Sequence, residues 1–132
     1  MAHWSKTDAF AYFDVVMENR RWSWSGVSGD GATVVLVLWQ DRIERRKGRY
    51  SYADDKELDA EWRRRPGHSA RIRHLKHALD NLGGRFRTVI AKAEDTRASP
   101  RKIASCFPQS EVFWQLDSFD EESGAFTAHV LD

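Results

Sequence analysis

The chain has 132 residues, 41% of them apolar and 31% charged, with a formal net charge of +1. That size supports one domain, residues 1–132, with a buried core. The single cysteine, Cys106, excludes an intramolecular disulfide, there is no CxxC pair to suggest structural zinc, and no apolar run approaches membrane-spanning length.

Residues 6–19, KTDAFAYFDVVMEN, carry Phe10, Phe13 and Met17 at helical spacing, with Thr7 or Asp8 as a cap. The stretch RRWSWSGVSGDGATVVLVLWQD then reads as a β-hairpin. Asp30-Gly31 is a two-residue turn signal, and a turn there sets Val27 against Val34, Trp24 against Val37 and Trp22 against Trp39. Opposed residues share a sheet face. One face therefore carries Trp22, Trp24, Gly26, Val35, Val37 and Trp39, and the other Ser23, Ser25, Val27, Val34, Leu36 and Leu38. The second arm is apolar on both faces, as a covered central strand requires.

Arg49–Tyr52 reads as a short strand after a basic turn at Arg45–Gly48. DDKELDAEWRRRPG is helix or loop and is broken at Pro66-Gly67. HSARIRHLKHALDNLGG is a helix with a stripe of Ile72, Leu75, Leu79 and Leu82, capped by Ser69 and ended by Gly83-Gly84. RFRTVIAKAED is a strand that alternates Phe86, Thr88 and Ile90 against Arg85, Arg87 and Val89. Ser99-Pro100 opens a short helix, PRKIASCF, and EVFWQLDSF with GAFTAHVL forms a closing hairpin around DEESG. The sum is an α+β fold: a mixed, mostly antiparallel, partly closed β-barrel of five or six strands with flanking helices.

Charge is segregated. Residues 42–87 hold 14 Lys/Arg and 7 Asp/Glu, whereas residues 103–132 hold 6 Asp/Glu and no Lys/Arg. A local basic patch can hold polyanions on a near-neutral protein. Phosphate contacts are expected from Arg46, Lys47, Arg49, Arg71 and Arg73, and from Arg101 and Lys102 at the start of the short helix. Trp22, Trp24 and Trp39 supply flat faces for a base, while Ser23 and Ser25 supply short hydroxyls for its edge. Core filling is the competing role for these tryptophans, as solvation is for the charges.

Two other function classes stay open. The bipolar charge fits a protein-interaction domain that meets a protein partner or a second copy. A small metal-dependent nuclease or hydrolase would draw on His74, His77 and Asp80, or on Asp41 with Glu44 and Lys47, but neither set has the spacing of an established metal site. A Cys106–His129 pair would need the two side chains adjacent in space. No catalytic residue, metal or cofactor is assigned.

In layout the chain resembles the PUA-like superfamily, which includes the EVE, YTH, ASCH and SRA groups. The residues that carry the likeness are RWSWSGVSGDGATVVLVLWQD, GRFRTVIAKAED and FWQLDSFDEESGAF. The resemblance implies a non-catalytic module with an aromatic pocket for a flipped or single-stranded base, modified or not, in DNA or RNA. It also implies a bacterial setting beside restriction systems. The N-terminus shows no basic-then-apolar leader, so the expected location is cytoplasmic, with no membrane partner.

Overall fold

The computed structural model describes residues 4–17, 23–54, 66–97 and 102–131. The elements are α1 (Lys6–Ala11), β1 (Ser25–Val27), β2 (Val34–Trp39), a 3-10 turn (Gln40–Arg42), β3 (Glu44–Arg46), β4 (Arg49–Asp54), α2 (Pro66–Asn81), β5 (Arg85–Ala93), β6 (Ile103–Phe119) and β7 (Phe126–Val130). The strands form one seven-stranded sheet in the order β1-β2-β5-β6-β7-β4-β3. Only β2 and β5 run parallel; the other pairs are antiparallel. The fold is therefore α+β with a mixed sheet and two described helices. No strand pairing closes the sheet among the described residues, so the expected barrel is an open sheet. The sheet does curl: the Trp39 N–H of β2 lies 3.4 Å from the Tyr52 hydroxyl of β4, four strands away in sheet order.

Side-chain alternation along the strands builds two cores. On the inner, α2-bearing face, Val34, Leu36 and Leu38 join Tyr52, Leu75, Ala78, Phe86, Ile90, Trp114, Leu116 and Phe126. On the outer face, Val35, Val37, Val89, Ala91 and Cys106 pack against Phe10, Phe13 and Val15 from α1 and the segment after it. β2 is buried on both faces because it has a helix on each side.

The hairpin register is as the sequence predicts, with Ser25 opposite Leu36, Gly26 opposite Val35 and Val27 opposite Val34. The turn is wider than two residues. Gly31 N–H donates to Ser28 O (2.9 Å), Ser28 N–H donates to Thr33 O (2.9 Å), and Gly31 alone in the turn has positive φ (73°). The Asp30 carboxylate accepts from Ser28 Oγ and from Ala32 N–H. Those bonds hold its pKa below the usual carboxylate value. The two-residue turn with both positions left-handed occurs instead at Lys47-Gly48 (φ 53° and 78°), between β3 and β4.

Four other expectations are corrected. α1 is shorter than residues 6–19. It is capped by Ser5, whose Oγ accepts from Asp8 N–H, and it ends before Asp14, which takes a left-handed φ of 63°. α2 starts at Pro66, not after Ser69, with proline at the first helical position where its missing N–H costs nothing. Its inward stripe is Arg71, His74, Leu75 and Ala78, and Leu79 is exposed. Finally, residues 103–107 are strand, not helix: Ile103, Ser105, Cys106 and Phe107 pair with Ala93, Lys92, Ala91 and Ile90 of β5. No described helix is long and apolar enough to cross a membrane.

Candidate nucleic-acid interface

The tryptophan site is built by the β1–β2 register and by α1. Trp24 stands just before β1, and its carbonyl accepts from Val37 N–H (2.9 Å). Trp39 ends β2. Both project to the outer face, where each is half-buried at the margin of the α1 core. Their ring centroids are 5.6 Å apart at 44°. That is direct aromatic contact, so the two indoles form one composite surface with no slot between them. Trp22 lies outside the described residues.

A cation sits beside this surface. Lys6, in the first turn of α1, donates to Ser23 O (2.8 Å) and holds its ammonium 4.7 Å from the Trp24 ring centroid. Burial lowers its pKa, and the neighbouring Cys106 acts in the opposite direction. The Cys106 thiol is raised in turn by burial, with Lys6 opposing. No local pattern marks Lys6 in the sequence, because it meets Trp24 only through the docking of α1.

The small residues between the indoles serve packing. Gly26 faces α1, where a Cβ would stand closer than 3.0 Å to Val15 Cγ1 and 3.6 Å from Phe10 Cε2. Ser25 faces α2, where its Oγ hydrogen-bonds His74 Nδ1 (2.7 Å) in the interior. Ser23 is also buried. Of the two serines expected at a base edge, alternation aims Ser25 away from the indoles, and both are enclosed.

The expected phosphate ligands divide. Lys47, Arg49, Arg73 and Lys102 are exposed. Lys102 lies by register at the same end of the sheet as Trp39, since Trp39 pairs with Ala91 and Ala93 pairs with Ile103. Lys47 and Arg49 lie on the β3–β4 hairpin, and the Arg46 backbone pairs with Arg49 there. Arg101 lies outside the described residues, and the helix it was to open is not formed over residues 103–107. Arg71 lies in the interior: its Nη1 is 2.7 Å from Asp54 Oδ2, with both side chains 6% exposed. Its guanidinium also lies 5.2 Å from the Phe126 ring centroid. An arginine committed to an inner carboxylate cannot reach a phosphate outside.

The metal and nucleophile sets do not assemble. His74 bonds Ser25, and His77 donates through Nε2–H to the Gly31 carbonyl (2.9 Å). Both histidines thus tie α2 to the hairpin. Among the described residues no three His, Cys, Asp or Glu side chains converge as metal ligands. Cys106 donates toward Trp4 O (3.6 Å), whereas His129, on β7, contacts Asp117 through Nδ1 at 2.7 and 2.9 Å.

A groove of about 610 Å³ opens elsewhere, between Lys76, Leu79 and Asp80 of α2 and the β6–β7 connection at Phe119–Glu122. It is walled by carboxylates, with one ion pair across it from Lys76 Nζ to Glu121 Oε1 (3.2 Å). Comparison with known proteins finds no family model, no curated protein and no solved structure that matches the chain.

Proposed function

We propose that the chain is a non-catalytic nucleic-acid-binding module that stacks an unpaired base, modified or not, on the Trp24–Trp39 surface. The observation that carries this reading is the pair itself: two half-exposed indoles in contact, with the Lys6 ammonium beside them. Such a surface takes a base on one side, as single-strand binders do, without enclosing it. Exposed Lys102, near the same end of the sheet, would take a flanking phosphate. The PUA-like layout supports the same ligand class by resemblance alone, with the pocket replaced by a platform.

The test is fluorescence anisotropy with labelled single- and double-stranded DNA and RNA at low salt, read beside intrinsic tryptophan emission. Trp39→Ala is expected to weaken single-strand binding roughly five- to a hundredfold, the range of base–aromatic stacking. Absence of binding by the parent chain to every such probe refutes the reading. A second reading, a protein-interaction domain, is favoured by the carboxylate-walled groove. It predicts association that weakens with salt and is insensitive to oligonucleotide.

A further inference from the structure

The outer sheet face carries a second feature that the tryptophan platform does not use. α1 lies over β5 and β6, and beyond it the strands β6, β7 and β4 turn exposed or half-exposed side chains outward. The registers align these in transverse rows. One row runs from Arg85 through Gln115 and His129 to Ser51. Nearer the β3–β4 hairpin tip lie Arg87, at the β5–β6 register shift, Phe113, Leu131 and Arg49; Leu131 N–H donates to Phe113 O (2.8 Å), which ties the end of β7 to β6 there.

Phe113 is 48% exposed although it sits mid-strand. Its ring is kept in place by Arg87, whose guanidinium lies 4.3 Å from the Phe113 centroid and 5.0 Å from that of Phe13, and whose Nη2 donates to Ser110 O. Phe13 in turn contacts the exposed Tyr12 edge-on, with centroids 5.1 Å apart. The result is a rigid aromatic–guanidinium stack open on one side, flanked by exposed Arg85 and Arg49. From β5 to β4 is three strand spacings, about 14 Å. The acidic residues near this face are Asp117, engaged by His129, Glu111 beyond Ser110 in the strand, Glu44, which pairs with Ser51 and so extends the first row, and exposed Asp14 after Phe13.

We infer that this uncovered face is a second contact surface for single-stranded nucleic acid, with Phe113 as a stacking platform and Arg49 and Arg85 as phosphate ligands. Flat aromatic faces among arginines on an open sheet suit unstacked bases and their backbone, because the sheet offers stacking and charge together without a groove fitted to a duplex. The inference rests on the nucleic-acid reading and adds a surface distinct from Trp24 and Trp39.

The experiment titrates fluorescein-labelled oligothymidylate and oligouridylate of about 12 nucleotides, a length within the site size of single-strand binders. Phe113→Ala is expected to weaken binding roughly five- to a hundredfold. The exposed-site variants Arg49→Ala and Arg85→Ala are each expected to lower the slope of log K against log salt by about 0.7 between roughly 50 and 200 mM. Circular dichroism checks that each variant stays folded. If Trp39→Ala weakens binding while Phe113→Ala, Arg49→Ala and Arg85→Ala leave affinity and slope at parent values, this surface is rejected and the platform reading stands. If Phe113→Ala weakens binding and Trp39→Ala does not, the converse holds. Failure of the parent chain to bind either oligonucleotide overturns both.

Discussion

Gly26→Ala tests whether the smallness of the hairpin beside its tryptophans is a packing requirement. In a strand, alanine in place of glycine would by itself stabilise by about 0.5–1 kcal/mol through lost backbone freedom in the unfolded chain. Here the added methyl would stand closer than 3.0 Å to Val15 Cγ1 and 3.6–3.7 Å from the Phe10 ring. Phe10 is fully enclosed and Val15 nearly so. Val15 has little freedom to give way. Its side chain is β-branched and stiff at χ1, and its N–H is bonded to Phe10 O (3.1 Å) just after the left-handed Asp14. Overpacking of this kind costs about 1–3 kcal/mol, so a net loss of about 1–2 kcal/mol is expected. For a chain of this size that lowers Tm by roughly 4–8 °C.

The partner variant makes the argument specific. Val15→Ala alone leaves a void and is expected to cost about 1.5–2 kcal/mol, the worth of two buried carbon groups. Combined with Gly26→Ala, the new methyl enters that void, and the double variant should be more stable than the sum of the two losses by about 1 kcal/mol or more. Urea denaturation followed by circular dichroism measures all four corners of the cycle. Additive losses, or no loss from Gly26→Ala, would refute the placement of α1 and its following segment against the hairpin.

Three further outcomes follow from buried groups. Burial, assisted by Asp54, pushes the Tyr52 phenol from 10.0 up to about 12. A raised folded-state pKa gives a contribution present below pH 10 and lost as pH rises toward 12, about 2–3 kcal/mol in all; urea midpoints of Tyr52→Phe should therefore fall less steeply over that window than those of the parent. Asp54→Ala leaves the Arg71 guanidinium in the interior without its carboxylate and is expected to cost about 3–5 kcal/mol by denaturation; a loss below about 1 kcal/mol, as for a surface pair, would contradict its burial. Cys106 is 7% exposed with its pKa raised by burial, so a disulfide reagent near pH 8 should label the native chain much more slowly than the urea-unfolded chain, and equal rates would contradict an enclosed thiol.

What was legible in the sequence was whatever alternation and turn chemistry decide locally. The hairpin register is visible because a four-residue loop closed by Ser28 and Thr33 keeps the same pairing as the two-residue turn expected at Asp30-Gly31. The run from Val34 to Trp39 announces burial on both faces, and the alternation of Phe86, Thr88 and Ile90 announces β5. The short helix at PRKIASCF was misread because a Ser-Pro start is a local cue, whereas the pairing of Ile103–Phe107 with β5 is a tertiary one. β-branched and aromatic residues suit that strand. The α2 stripe was misplaced for a related reason. Arg71 and His74 turn inward because the curled sheet supplies Asp54 and Ser25 as partners, and nothing in the helix's own pattern announces a buried arginine.

The candidate site shows where composition stops being informative. Trp24, Ser25 and Gly26 look like pocket components when taken as neighbours, since one offers a face, one a hydroxyl and one free space. Strand alternation separates them: the indole and the glycine face α1, and the serine faces α2. The glycine's space is then filled by Val15 and the serine's hydroxyl by His74, which leaves the indole as the component still open to solvent. It stands half-buried at the margin of the outer core, with Lys6 of the first turn of α1 against its ring. Phe113 is another open aromatic, exposed beside Arg87, which stands between it and Phe13.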